Sequence, residues 1–334
     1  MIRLQHKVQK GAFTLDVDVS IPDAGVTGVF GESGSGKTSL LRCIAGLDGE
    51  GGLPVHKRNV GYVFQQPTLF PHLDVRGNIE YGARRATSNR VDRSQVANML
   101  GLDPLLERSP DTLSGGEAQR VAIAAALMRS PDLLLMDEPL ASLDRARKDE
   151  LLPYFDRLHD ELSIPVVYVS HDIDEVSRLC DHLVLLDAGK VLASGELCEV
   201  LSRADVPLLT GRNAGVVIWA VPVDHDEGLT KFDFADGDIW VPGEFEASSI
   251  PLRLRVAASD VSITRERPTQ TTILNVLRAT IEDVRTVDKA TALIRLGLGN
   301  QDLLARVTNR SVGRLDLRKG ERVFAQVKSV TVRR

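Results

Sequence analysis

The stretch Gly31-Glu-Ser-Gly-Ser-Gly-Lys-Thr38 fits the pattern G-x-x-x-x-G-K-[ST] at every fixed position. At average residue usage a chain of 334 residues shows this pattern by accident roughly once in a hundred times. The residue types suit one chemistry. Gly34 and Gly36 let backbone N–H groups close around phosphate oxygens, where a Cβ would intrude. Lys37 adds a point charge for the outer phosphates, and Thr38 offers a hydroxyl to Mg²⁺. Gly31, Glu32, Ser33, Ser35 and Ser39 complete the expected nucleotide cradle.

Polar residues elsewhere fit the same chemistry. Asp132-Leu-Leu-Leu-Met-Asp-Glu-Pro139 is an apolar run ending in two acids. Read as a buried parallel strand, it delivers Asp137 and Glu138 beside the phosphates. Asp137 can hold Mg²⁺ through water, and Glu138 can polarise the attacking water. Ile164-Pro-Val-Val-Tyr-Val-Ser170 is a second such run and ends in His171, placed to contact the γ-phosphate. Val60–Phe64 is a third, followed by Gln65, whose amide can orient a water or ligate Mg²⁺. Ser114-Gly115-Gly116 opens an alanine-rich helix and reads as a second anion-binding helix terminus. Two phosphate grips and one nucleotide site suggest that the grips meet across two subunits. Phe13 either stacks on an adenine ring or packs within an ordinary sheet.

Simple elements suffice to position these groups. Gly25–Phe30 reads as a buried strand before the glycine loop, and Ser39–Ala45 as a helix after it. Residues 2–21 alternate at strand period and predict an antiparallel β layer. Leu69-Phe-Pro-His-Leu-Asp-Val75 is apolar for a loop. It either packs under the helical region of residues 91–107 or forms a docking surface. Asp181–Gly195 reads as a hairpin that ends the nucleotide domain.

Residues 206–334 change character. Short alternating segments such as Ile218–Val223, Leu252–Val256, Leu303–Val307 and Arg322–Val327 suggest a small β-barrel or barrel pair. Leu254–Ile263 and Phe324–Val332 echo each other. The echo marks either two related barrel-like halves or common strand chemistry.

Composition narrows the function classes. The formal net charge of −5 supplies no basic field for nucleic acid. The apolar runs fall far short of a bilayer span, and Met1–Lys7 has no signal-peptide apolar region. Any membrane role is therefore expected to be peripheral. Cys43, Cys180 and Cys198 lack metal-ligand spacing and read as small core residues in a reducing compartment.

As a set, Gly31–Thr38, Gln65, Leu113-Ser-Gly-Gly-Glu117, Leu133–Glu138, Ser142-Leu-Asp144 and His171 resemble an ABC-type ATPase. In that family they are the Walker A loop, Q-loop, signature motif, Walker B strand, D-loop and switch histidine. One departure is Glu117, where the family usually has glutamine. The resemblance implies an α/β P-loop NTPase domain with an antiparallel β layer and a helical subdomain, over about residues 1–205. It implies ATP and Mg²⁺ as cofactors and a head-to-tail homodimer, with each ATP between one Walker A loop and the other subunit's Ser114–Gly116. It also implies that Gln65 and Leu69–Val75 contact an integral membrane channel subunit.

Residues 271–332 resemble a molybdate-binding Mop domain of the OB-like type, in Thr272–Leu277, Leu304–Ser311 and Ala325–Val330. With the Leu69–Val75 loop and Arg157–Leu162, the whole chain resembles the ATPase subunits of molybdate importers. The implied architecture is an ATPase domain (1–205), a β-rich connecting segment (206–264) and an all-β OB-like C-terminal domain (265–334). Such a subunit lies on the cytoplasmic face of the inner membrane. It receives substrate indirectly from a periplasmic or extracellular oxyanion-binding protein and needs no nucleic acid. Thr272, Asn275, Ser311, Lys328 and Ser329 are the candidate oxyanion donors. Leu274 stands where the family often has arginine. A purely structural, dimerising barrel is the competing reading of the tail. For the whole chain the alternatives are an importer ATPase for sulfate or another small solute, and a soluble ABC ATPase of DNA repair or translation.

Overall fold

The computed structural model describes residues 1–48, 58–86, 91–161, 163–203, 205–211, 213–235 and 237–333. Leu162, the last residue of the Arg157–Leu162 stretch, lies outside them. The chain divides into two compact units, Met1–Gly195 and Glu196–Arg334.

The first unit is built on one eight-stranded sheet. Its strands are β1 (Ile2–Lys10), β2 (Phe13–Ile21), β3 (Val26–Phe30), β4 (Val60–Val63), β5 (Leu133–Asp137), β6 (Val166–Ser170), β7 (His182–Asp187) and β8 (Lys190–Glu196). Their spatial order is β1-β2-β8-β7-β3-β6-β5-β4. β3, β5 and β6 are buried at every position, as strands covered on both faces must be. They run parallel, as do β4 with β5 and β3 with β7, so their C-terminal ends share one edge. The expected antiparallel layer is the β1–β2 hairpin. It joins the larger sheet through a single parallel pairing, Asp16 with Lys190. Ala188 and Gly189 turn β7 into β8, both at positive φ, which a tight right-twisting hairpin requires.

Among the described residues six α-helices accompany this sheet: α1 (Lys37–Ala45), α2 (Val75–Ala83), α3 (Arg93–Met99), α4 (Gly115–Leu127), α5 (Arg145–Glu161) and α6 (Ile173–Leu179). The expected helical region of 91–107 is α3 followed by a short 3₁₀ turn at Asp103–Leu105. Cys43 and Cys180 are buried in the core of this unit. Among the described residues no helix is long and apolar enough to cross a membrane.

The second unit carries two short helices, α7 (Leu197–Leu201) and α8 (Pro207–Thr210), and then turns to strands. One five-stranded sheet has the order β11 (Gly237–Pro242), β10 (Leu229–Phe234), β9 (Gly215–Asp226), β12 (Leu252–Ala257), β18 (Thr331–Arg333). The other has β13 (Val261–Thr264), β17 (Arg322–Val327), β14 (Asn275–Thr286), β15 (Thr291–Leu298), β16 (Gln301–Thr308), with the helix α9 (Asn309–Leu315) after β16. Both sheets feed one core that includes Ile218, Phe232, Leu254, Ile281, Leu296 and Ala325. The two echoing stretches pair with each other. β12 lies against β18 and β13 against β17, so each stretch contributes one strand to each sheet. The boundary expected at 264/265 runs through this interlock.

Two carboxamides staple the sheets together. Asn275 on β14 accepts from the Trp240 N–H at 2.7 Å and donates to the Trp240 carbonyl at 3.0 Å. Gln301 on β16 does the same to Trp219, at 2.8 and 2.9 Å. A primary amide presents the donor–acceptor pair of a peptide, so it can stand in for a strand where the ladder stops.

Candidate active site

Parallel strands place their chemistry at one edge. The glycine loop leaves β3 and enters α1, with Gly34 at φ 84° and Gly36 at φ 105°, conformations open to glycine. A Cβ on Gly36 would lie 2.7 Å from Cζ of Phe13. The Phe13 ring therefore sits over the loop, half-buried against the sheet core.

Lys37 is 4% exposed and donates from Nζ to the carbonyls of Gly31 and Glu32, both at 2.9 Å. Its Nζ also lies 3.6 Å from Glu138 Oε1. Ser35 Oγ is buried without a hydrogen-bond partner. A buried lysine, an orphan hydroxyl and a helix start opening on glycine together fit a bound phosphate chain. Glu32, Ser33 and Ser39 lie in or beside this cradle.

Asp137 ends β5 and is 6% exposed. Its Oδ1 accepts from Thr38 Oγ1 and its Oδ2 from the Tyr62 hydroxyl, each at 2.9 Å. Burial pushes the Asp137 carboxyl above its ordinary range, and the two hydroxyls partly oppose that. The Thr38 hydroxyl and the carboxylate converge as a hard-oxygen pair suited to Mg²⁺. Tyr62, one strand away on β4, had no motif to announce it.

Glu138 has φ 46°, a left-handed backbone uncommon for glutamate, and its N–H donates to the Val169 carbonyl at 3.0 Å. Its Oε2 meets Nδ1 of His171 at 3.0 Å. The two residues come from neighbouring strands, β5 and β6. Gln65 follows β4, exposed, two residues beyond the strand end.

Ser114 caps α4 in a capping box. Its Oγ accepts from the Glu117 N–H at 3.3 Å, and Glu117 Oε2 accepts from the Ser114 N–H at 2.7 Å. The unusual Glu117 thus has a local task that glutamine would also perform. Among the described residues, no hydrogen bond or ion pair joins Ser114–Gly116 to Gly31–Ser39.

The Leu69–Val75 loop is exposed around Phe70, whose ring lies 4.3 Å from Tyr81. Buried Asn78 knots it by binding the carbonyls of Phe70, Leu73 and Asp74. At the loop's end the Val75 N–H donates to the Arg108 carbonyl and the Arg76 N–H to the Leu106 carbonyl, both at 3.0 Å, so it is tied to the end of the 91–107 region. Beside it runs a groove of about 350 Å³ lined by Tyr62, Phe64, Leu69, Phe70, Tyr81 and Ala122 among others.

The tail candidates do not form one cluster. Asn275 is 6% exposed and its amide is taken by Trp240. Thr272, Lys328 and Ser329 are exposed near the same end of β14, where Asn275 pairs with Val327. Ser311 sits in α9, where its Oγ meets Thr308 Oγ1 at 2.8 Å. Asn275 opens β14, whereas α9 follows β16, which pairs through β15 with the later residues of β14. Leu274 is 66% exposed.

Comparisons with known proteins agree with this site. The ABC transporter family model matches residues 15–141, and the TOBE domain model matches residues 271–333. The molybdenum import ATP-binding protein ModC of Methylococcus capsulatus is 48% identical, over 99% of this chain and 99% of its own. ModC 1 of Azotobacter vinelandii is 49% identical, over 99% of this chain and 98% of its own. Among solved structures, cbiO1 of Clostridium perfringens, part of an ABC transporter complex, superposes with a TM-score of 0.52 at 24% identity. It covers 61% of this chain and 92% of its own. A dimeric bacterial ABC transporter cassette gives 0.50 at 27% identity, covering 59% of this chain and 99% of its own. Fold and site define an ABC-type ATPase cassette carrying an all-β tail. The chain belongs to the family of molybdenum import ATP-binding proteins.

Proposed function

We propose that this chain hydrolyses ATP to drive molybdate, and also tungstate, through a membrane ABC importer. The observation that carries the reading is the meeting of Lys37, Thr38, Asp137, Glu138 and His171 at one sheet edge, in a chain matched end to end by molybdenum import ATP-binding proteins. In this reading Gly31–Ser39 hold the phosphates and Phe13 stacks on the adenine. Thr38, Asp137 and Gln65 hold Mg²⁺, which neutralises phosphate charge when bound. Glu138 takes the proton of the attacking water, and His171 contacts the γ-phosphate.

That no hydrogen bond or ion pair joins Ser114–Gly116 to the glycine loop among the described residues supports a homodimer in which each subunit completes the other's site. The apolar groove beside Leu69–Val75 fits a channel subunit, which would hold this chain at the cytoplasmic face of the inner membrane. A periplasmic or extracellular oxyanion-binding protein would supply the solute. In the tail, the oxyanion reading narrows to Thr272, Lys328 and Ser329, because Asn275 and Ser311 are otherwise engaged.

The test is uptake into vesicles holding the channel subunits, the solute-binding protein and this chain. ATP-dependent uptake of molybdate, competed by tungstate and absent with Glu138→Gln, is expected. Uptake of sulfate with none of molybdate would replace the substrate. ATPase activity that never associates with membranes would overturn the transport reading.

A further inference from the structure

His171 has little to hold it. Its ring is half exposed, and among the described residues its polar side-chain contact is with Glu138. The residues on either side of it are bound far more firmly. Ser170 Oγ donates to Glu175 Oε2 at 2.8 Å and accepts from the Asp172 N–H at 3.0 Å. The Tyr168 hydroxyl donates to the same Glu175 oxygen at 2.9 Å. Lys148 Nζ donates to Glu175 Oε1 at 2.6 Å and to Asp172 Oδ2 at 3.3 Å.

Glu175 is 5% exposed, so its carboxylate is a buried charge balanced by one lysine and two hydroxyls. Charge-assisted bonds of this kind are short and directional, and losing one partner leaves the other buried and unpaired. Both residues flanking His171 bond into this cluster. Lys148 comes from elsewhere, from the first turn of α5, where its N–H donates to the Asp144 carbonyl at 3.0 Å. One lysine therefore ties the Ser142–Asp144 turn to the turn that presents His171.

We propose that Lys148 and Glu175 are positioning residues for His171, and that they couple it to the Ser142–Asp144 turn. The proposal rests on the reading of His171 as the group that meets the γ-phosphate. Neither residue touches nucleotide. Each fixes the backbone from which His171 reaches, so removing either lowers turnover by acting through His171.

A double-mutant cycle on the full chain, assembled with its channel subunits, tests this. Lys148→Met is expected to lower kcat about tenfold while KM for ATP stays within about twofold. Lys148→Arg should recover most of that loss. His171→Ala should lower kcat further, and adding Lys148→Met to it should cost nothing more, since the residue through which Lys148 acts is gone. Glu175→Gln, which keeps shape and an acceptor, runs through the same cycle if Lys148→Met does not fold. Losses that multiply in the double variant, or wild-type kcat in Lys148→Met, overturn the proposal. Wild-type kcat in His171→Ala instead overturns the reading beneath it, so the two failures are distinct.

Discussion

Polar residues at strand ends do opposite work in the two units. In Met1–Gly195 they gather. Parallel strands deliver Asp137, Glu138 and His171 to one edge, where the glycine loop already holds Lys37 and Thr38. The set retains unmet potential, such as the orphan Ser35 hydroxyl. In Glu196–Arg334 the strands alternate in direction, so strand-end polar groups scatter to both ends. Asn275 and Gln301 are taken up in closing the two sheets. A polar side chain marks a ligand site when its neighbours leave hydrogen bonds unmade, and a structural site when they complete them.

The strongest test of this contrast is all-or-none. Ending the chain after Thr264 removes β14 to β18, leaving β12 without β18 and β13 without β17. Residues 196–264 should then be unfolded and rapidly proteolysed. Ending it after Gly195 should give a soluble domain that still binds ATP, because every nucleotide motif lies within that unit. A protease-resistant 196–264 segment in the longer truncation would mean the tail is two folding units after all.

Within the first unit, Glu138→Gln should slow hydrolysis by roughly two to four orders of magnitude while ATP binding persists. The charge leaves the contacts with His171 and Lys37, but shape is kept. Turnover of the channel-coupled variant measures this, and a wild-type rate would remove Glu138 from the chemistry. Lys37→Ala should act on binding instead. A charge-assisted contact is worth about 1.5–3 kcal/mol, so ATP affinity should fall roughly 10- to 150-fold in a direct titration. Unchanged affinity would mean that the buried lysine serves only the Gly31 and Glu32 carbonyls.

The sequence made the first unit's site legible because its spacing is covalent. A glycine loop between a strand and a helix fixes Lys37 and Thr38 in place, and apolar runs ending in Asp137-Glu138 or His171 fix which edge they reach. Tyr62, Lys148 and Glu175 were not legible. Their partners lie far along the chain, 75 residues from Tyr62 to Asp137 and 27 from Lys148 to Glu175, and ordinary strand or helix positions carry them. In the tail the strands were legible from alternation, but their pairing was not. The echo of Leu254–Ile263 with Phe324–Val332 showed likeness without showing that the two stretches interlock. Asn275 looked like an oxyanion donor because the amide that binds an anion also binds a peptide.

That ambiguity sets the smallest expected effect. If Asn275 is a staple, Asn275→Ala leaves the Trp240 N–H and carbonyl without their partner inside the tail. An unsatisfied buried group costs about 1–3 kcal/mol. For a unit of this size, the melting point should drop by roughly 4–12 °C. The response to oxyanion separates this from a ligand role. Thr272, Lys328 and Ser329 remain in place in the variant, so any shift in melting that molybdate gives the intact chain should survive Asn275→Ala at a lower baseline. Thr272→Ala combined with Lys328→Ala should show the reverse, an unchanged baseline and a lost shift. If Asn275→Ala abolishes the molybdate shift without moving the baseline, its amide binds the anion and the tail gathers its polar residues just as the first unit does.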